Sequence, residues 1–208
     1  TPNEEAVQKG VENLEHLIGV IKSFNHPVVV ALNHFPTDTP AETAIVKKAA
    51  EEAGAFAAVE SKVFAEGGAG GMELAQALLE ATEGEDHEIN NAYDVAAPIL
   101  DKVQALANLV YHADGVQWAL PARRLRRQFE ENGWGNLPIC MAKTHLSISH
   151  RAALKGRPSN YTFEVSDIRA SVGAGFIYPI AGNIVTMPGL PGSPRQLDVD
   201  ERGNILGL

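Results

Sequence analysis

Three side chains that could bind a ligand follow an apolar run near the start of the chain. The run from Pro27 to Leu32 lacks polar alternation, which is typical of a strand buried on both faces of a parallel sheet. Asn33, Phe35 and Asp38 come directly after it. Ligands of open α/β proteins bind at the carboxyl edge of such a sheet. There an amide and a carboxylate could read a purine edge, and an aromatic ring could stack on a flat ligand.

Each of these side chains also has a purely structural interpretation. Phe35 could fill the hydrophobic core instead of contacting a ligand. Asp38 could be the N-cap of the next helix, with Glu42 favoured in the first turn by the helix dipole. The spacing from Asn33 to Asp38 is longer than in GTPases. A remnant of a GTP-binding protein is a separate hypothesis that rests only on these two residues. A nucleotide titration that prefers GTP would support it.

A glycine-rich segment, residues 67–71, precedes a second predicted helix. Glycines at this place can free the helix N-terminal amides to meet an anion. A flexible connector is the alternative. The segment is not a P-loop, and the pattern GxxxxGK[ST] occurs nowhere in the 208 residues.

A third polar segment runs from Cys140 to His150. Lys143, Thr144 and His145 could contact a phosphate or carboxylate at a strand end. Cys140 lies in an apolar run, which predicts a buried and inert thiol. The remaining candidates are predicted to be solvated surface groups: the histidines lack metal-ligand spacing, and the arginines form one helix face for solvent or a subunit contact. They are His112, His145, His150, Arg123, Arg124, Arg126 and Arg127.

The hydrophobic pattern predicts the elements that position these groups. An amphipathic helix comes first, and then strand, helix, strand, glycine loop and helix form a βαβα unit. We place the strands of this unit at 27–32 and 55–63, and its helices at 41–53, closed by Gly54, and at 72–82. Further helices are expected at 96–112 and 121–132, and further strands at 161–165, 175–180 and 183–187, with Ala181-Gly182 as a hairpin turn.

These elements predict an α/β fold: a βαβα unit from the edge of a P-loop-type parallel sheet, followed by a smaller β-rich α+β domain. The change of pattern near residue 135 divides the chain into residues 1–135, an α/β portion with the ligand-side loops, and residues 136–208, a β-rich domain.

Composition narrows the class of protein. The chain is 45% hydrophobic and 21% charged, so it can bury a core. Its 17 basic and 26 acidic side chains give 17 − 26 = −9, which disfavours nucleic acid as a partner. The single cysteine excludes an intrachain disulfide, and no apolar run reaches the roughly 20 residues of a membrane helix. We expect a soluble, cytoplasmic protein. The absence of an initiator Met suggests either a fragment of a longer chain or a processed terminus.

Together the segments resemble the C-terminal part of formate–tetrahydrofolate ligase, in the order of that family and over nearly the whole chain. The matching runs are VVVALNHFPTDTPAE (28–42), EGGAGGMELA (66–75), CMAKTHLSIS (140–149), VSDIRASVGAGFIYPIAGNIVTMPGLP (165–191) and DVDERGNILGL (198–208). The family's P-loop lies in an N-terminal part that these residues do not include.

The resemblance implies a reaction in which ATP, formate and tetrahydrofolate give 10-formyltetrahydrofolate through formyl phosphate, assisted by Mg²⁺ and a monovalent cation. It implies that Phe35 and Phe64 hold the folate between two rings. Phe64 stands where the family usually has Trp, and Glu66 where it has Lys. Pro158 is implied to contact adenine, and Asn33 is the second nucleotide-binding candidate.

Two readings of the chain's role follow from the resemblance. The first is a ligase portion that contributes folate and adenine contacts, is inactive without the N-terminal part and is a homo-oligomer in its full-length form. The alternative is a non-catalytic binding or assembly module that retains the fold.

Overall fold

The structure is a computed structural model that describes residues 2–84, 88–182, 184, 198–203 and 205–206. It is a mixed α/β structure with parallel and mixed sheets, as predicted at that level. In chain order the helices and strands are α1 (Glu4–Ser23), β1 (Val29–Asn33), α2 (Pro40–Glu52), β2 (Ala57–Ser61), α3 (Val63–Glu66), α4 (Met72–Thr82), α5 (Ile99–Leu109), β3 (Gly115–Trp118), α6 (Leu120–Glu131), β4 (Thr162–Ser171), β5 (Phe176–Ala181), β6 (Asp198–Val199) and β7 (Ile205–Leu206).

Strands β1 and β2 are parallel neighbours connected through α2. Their register runs from Val29 opposite Ala57 to Asn33 opposite Ser61, so both strands end at one rim. Within the described residues β2 is the one strand that pairs with β1. Most residues of β1 are therefore only partly buried, and the expected burial on both faces is not found.

The start of α2 corrects one prediction. Thr39, not Asp38, is the N-cap, because its side chain accepts from the Glu42 amide while the Glu42 carboxylate accepts from the Thr39 amide. This reciprocal arrangement is a capping box. Hydrogen bonds from the Asn3 amide and from Thr39 lower the pKa of Glu42. At the other end, Gly54 has a φ of +81°, which confirms the predicted glycine closure.

A second sheet has the order β3-β4-β5. β3 is parallel to β4, and β4 is antiparallel to β5. The sequence did not predict β3, and β4 is longer than expected. Of the expected strand 183–187, all residues except 184 lie outside the described residues. Of the predicted hairpin turn, Ala181 is the last residue of β5 and Gly182 follows it. Because β3 and β4 lie on either side of residue 135, the two predicted portions share this sheet; the division into domains stays a prediction.

Lys102 is a residue of α5, which forms the larger core together with α6 and the second sheet. Its side chain is fully buried, with 0% exposure. The ammonium group donates to three backbone carbonyls, at 3.0 Å from Val95, 2.6 Å from Gly135 and 2.8 Å from Leu137. All three N–H donors of the ammonium are thereby satisfied, and the side chain connects α5 to the segment at Val95 and to the loop at residues 135–137.

His16 is buried where α1 packs on the segment after α5. Its Nε2 lies 2.7 Å from the Val110 carbonyl oxygen, and because a carbonyl only accepts, Nε2 carries a hydrogen. Burial, with smaller contributions from Arg157 and His112, lowers the pKa of His16 below 6.5. The folded state therefore takes up the proton that charges the His16 ring less readily than the unfolded state does. As a result, the free energy of unfolding decreases as the pH falls through the pKa that histidine has in the unfolded chain, about 6.5.

We therefore expect the unfolding temperature of the protein to fall as the pH is lowered from about 7.5 to about 5.5. His16→Gln keeps a donor for Val110 but removes the titration, so its unfolding temperature should fall less over the same range. Thermal unfolding followed by circular dichroism measures both slopes. Equal slopes would show that His16 is not responsible.

Candidate functional site

A cleft of about 770 Å³ opens at the rim where β1 and β2 end. Phe35 and Phe64 both line it, one from the turn after β1 and the other from α3 after β2. Phe35 is 62% exposed and Phe64 is 102% exposed. The interpretation of Phe35 as a core side chain is therefore wrong. Two rings on neighbouring strand ends are available to a flat ligand.

The turn that carries Phe35 is held by its own backbone and by Asp38. The Asp38 amide donates to the Phe35 carbonyl at 2.9 Å, and the Phe35 amide donates to the Asp38 carboxylate at 2.8 Å. The His34 amide donates to the Ser61 carbonyl at 3.0 Å, which links the two strand ends. Asp38 therefore positions the ring instead of capping the helix.

Charged side chains brace the same rim. Glu60 on β2 lies 2.9 Å from Lys47 of α2 and 3.5 Å from the His34 ring. The hydrogen bond from Lys47, together with the nearby His34 and Lys62, lowers the pKa of Glu60. The sequence interpretation missed this group, because its members lie on three different elements.

The glycine-rich segment fixes the position of α3. Residues 67–71 form a 3₁₀ turn that leads into α4. Lys62 donates its amide to the Gly70 carbonyl at 3.0 Å. A Cβ at Gly70 would lie 2.5 Å from the carbonyl carbon and oxygen of Lys62, so only glycine fits there. The segment forms a regular 3₁₀ turn that packs on the end of β2.

Gly70→Ala should lower the free energy of unfolding by about 1–3 kcal/mol, because the added methyl must displace the backbone at Lys62. Gly68→Ala is the matched control, since a Cβ there meets no atom within 4 Å. Urea unfolding compares the two variants. Equal stability of both would show that the close approach at Gly70 is not a constraint.

The two nucleotide-binding candidates are not brought into one cleft. Asn33 is exposed at the end of β1 and lines both the 770 Å³ cleft and a neighbouring one of about 380 Å³. Pro158 lines neither of them. It lies in the loop before β4, with its carbonyl oxygen 3.3 Å from His112 Nδ1.

The third polar segment differs from the expectation in two residues. Cys140 is exposed, so the predicted burial is wrong. The segment from 139 to 142 runs along β5 as an irregular parallel neighbour, which leaves the thiol at the surface. His150 is buried against Phe163 and is not a solvated surface group, whereas His145 is exposed as expected.

The ammonium group of Lys143 is directed inward. It donates to the carbonyls of Thr144 and Ser147 and lies 5.6 Å from the centre of the Tyr111 ring. Burial lowers the pKa of Lys143. Its contacts are those of a loop-stabilising residue, so the contact with phosphate that the sequence allowed has no direct support.

The four arginines of α6 differ in their contacts. Arg123 donates to the Trp118 carbonyl, and Arg126 pairs with Glu130 at 2.8 Å and lies over the Trp118 ring. Arg124 and Arg127 face outward and are exposed.

Fold and cleft together define an α/β protein with an aromatic-lined cleft at the carboxyl ends of parallel strands. Comparison with known proteins then gives the family. The family model for formate–tetrahydrofolate ligase matches residues 1–208. The chain belongs to the formate–tetrahydrofolate ligase family.

Similar proteins with known names match nearly the whole chain. The chain is 48% identical to the formate–tetrahydrofolate ligase of Roseiflexus castenholzii and 50% identical to that of Desulforamulus reducens, with 99% of the chain covered in each case. It is 44% identical to the cytoplasmic C-1-tetrahydrofolate synthase of Schizosaccharomyces pombe over 98% of the chain. The chain spans only 37%, 36% and 22% of the length of these three proteins.

Among the described residues, no helix combines the length and apolarity needed to cross a membrane.

Proposed function

We propose that this chain provides the folate-binding portion of a cytoplasmic, ATP-dependent ligase that forms 10-formyltetrahydrofolate from formate and tetrahydrofolate through formyl phosphate. The observation that carries the proposal is the pair of exposed rings, Phe35 and Phe64, which line one cleft at the ends of two parallel strands. A planar group between such rings gains both apolar contact and stacking. The described lining of the cleft comes from the ends of β1 and β2, the turn after β1 and α3.

The phosphates of ATP need a different set of residues. No GxxxxGK[ST] pattern occurs in the 208 residues. Within the described part of the chain, no group of three or more His, Cys, Asp or Glu side chains could hold a metal ion. The described residues therefore offer no preformed set of three such ligands for Mg²⁺. In this proposal the P-loop, the Mg²⁺ site and the monovalent cation belong to the portion of the family's proteins that this chain does not cover.

The contribution of this chain to ATP binding is then limited to contacts with the adenine base. Pro158 and Asn33 are the proposed contacts, and they would act on one nucleotide only when the rest of a homo-oligomeric, full-length ligase is present. The chain alone is expected to be inactive.

Isothermal titration of the 208-residue chain with tetrahydrofolate, ATP and GTP tests the proposal. We expect saturable binding of tetrahydrofolate, weak or no binding of either nucleotide, and no 10-formyltetrahydrofolate when ATP and formate are added. A chain that fails to bind tetrahydrofolate would contradict the proposal. A preference for GTP would instead support the hypothesis of a GTP-binding remnant.

A non-catalytic binding or assembly module is the second candidate. It is favoured by one observation: the cleft has Phe64 and Glu66 where the family usually has Trp and Lys. The indole donor and a positive charge are both lost. Association of the chain with another protein, together with no affinity for tetrahydrofolate, would favour this candidate.

A further inference from the structure

A second cavity, of about 350 Å³, lies between α1, the segment after α5 and the loop at residues 143–148. Its volume is in the range of small-molecule sites, and it shares no lining residue with the 770 Å³ cleft. Four aliphatic side chains and three basic ones line it, and its described lining contains no acidic side chain. They are Leu17, Val110, Leu146, Ile148, His16, Lys143 and His145.

Lys143 places a positive charge at this cavity that no carboxylate balances. Its ammonium group is held by the carbonyls of Thr144 and Ser147 and lies 5.6 Å from the centre of the Tyr111 ring. Among the described residues it forms no ion pair. A partly buried charge is poorly screened by water, so an anion that enters the cavity gains more from Lys143 than from an exposed lysine.

The surroundings of His16 have the same sign of charge. The side chains that act electrostatically on its ring are those of Arg157 and His112, both of which are basic. The chain as a whole carries a net charge of −9, so this cavity differs in sign from the rest of the protein. Such a local concentration of basic groups attracts anions.

The Tyr111 hydroxyl is a free donor in the lining of the same cavity. Its ring stacks on Phe163 with 4.9 Å between the ring centres, which fixes its position. Within the described part of the chain the hydroxyl makes no hydrogen bond. Burial raises the pKa of Tyr111 to about 12, so the hydroxyl keeps its proton and can donate it to an acceptor at neutral pH.

We propose that this cavity binds a free carboxylate with an aliphatic body, the anion of a short fatty acid. The carboxylate accepts a hydrogen bond from the Tyr111 hydroxyl and faces the charge of Lys143. The aliphatic body removes apolar surface of the cavity walls from water. The inference is independent of the proposed function, because it uses no residue of the 770 Å³ cleft.

Isothermal titration of the 208-residue chain with hexanoate, 1-hexanol, inorganic phosphate and formate tests the site. Hexanoate should bind saturably and about tenfold more tightly than 1-hexanol, which has the same body without the charge. Phosphate and formate should bind more weakly than hexanoate, because neither has an aliphatic body. Saturating tetrahydrofolate should leave the affinity for hexanoate unchanged.

Tyr111→Phe should weaken hexanoate binding by about tenfold and leave 1-hexanol binding unchanged, since only the donor is removed. The variant should fold normally, because the hydroxyl makes no hydrogen bond within the described chain. Lys143→Met should abolish the preference for hexanoate over 1-hexanol. Tyr178→Phe is the matched control, since Tyr178 lies on β5 and does not line the cavity.

Equal affinity of the wild-type chain for hexanoate and 1-hexanol, or no saturable binding of hexanoate, would overturn the proposal. Unchanged hexanoate binding by Tyr111→Phe would also overturn it, and this variant decides the matter if Lys143→Met does not fold. Phosphate or formate binding as tight as that of hexanoate would show that the aliphatic walls play no part. Displacement of hexanoate by tetrahydrofolate would place the anion in a different site.

Discussion

The double variant Phe35→Ala, Phe64→Ala should bind tetrahydrofolate roughly 100-fold more weakly than the wild-type chain, since stacking on one aromatic ring contributes about 1–3 kcal/mol. Each single variant should lose about tenfold on the same scale. Because both rings are exposed, their truncation should change the free energy of unfolding by less than about 0.5 kcal/mol. Isothermal titration measures the affinity and urea unfolding measures the stability.

Phe56→Ala provides the control for this experiment. Phe56 is also exposed, at 51%, but it precedes β2 and does not line the cleft. Its replacement should leave folate affinity unchanged. If the double variant bound tetrahydrofolate as tightly as the wild-type chain, the rings would not contact the ligand, and membership of the family would be the remaining support for a folate site.

Lys102→Met should lower the free energy of unfolding by about 3–5 kcal/mol, since each buried carbonyl left without a donor costs about 1–3 kcal/mol and three lose theirs. Methionine fills a similar volume, but it leaves the carbonyls of Val95, Gly135 and Leu137 without their donor. Tryptophan fluorescence during urea unfolding can follow the loss, because Trp118 and Trp134 belong to or pack on the same core.

Lys48→Met is the control for Lys102. Lys48 is exposed and lies 3.8 Å from Glu52, so its loss should cost less than about 1 kcal/mol. Equal stability of Lys102→Met and the wild-type chain would show that the three carbonyls do not depend on the lysine.

The rim that carries the rings was predictable because strong local signals define it. The apolar run before Asn33, the glycine after α2 and the helix at 72–82 all appear where the sequence indicated. The capping box was also readable, since Thr39 is followed by Glu42 at the required spacing. Asp38 was the other candidate for the N-cap. Only the structure shows that its carboxylate instead accepts a hydrogen bond from the Phe35 amide.

Other features depend on contacts between distant segments. Strand β3 has four residues, which is too short for a periodic pattern. Lys102 lies three residues after Ile99 and four before Leu106, on the apolar face of its helix, yet a lysine gives no signal of burial. The exposure of Cys140 follows from its place beside β5, which no local pattern records.

Among the described residues, one side of β1 has no strand partner, and this has a practical consequence for handling the protein. Unpaired backbone donors and acceptors along a strand are a template on which another molecule can add a strand. At the high concentrations used for spectroscopy or crystallisation, such edge-to-edge addition would produce dimers or larger aggregates through main-chain hydrogen bonds, without any change in the helices. Dilute samples, or a charged substitution at Ala31, which is exposed in the middle of β1, would favour the monomer.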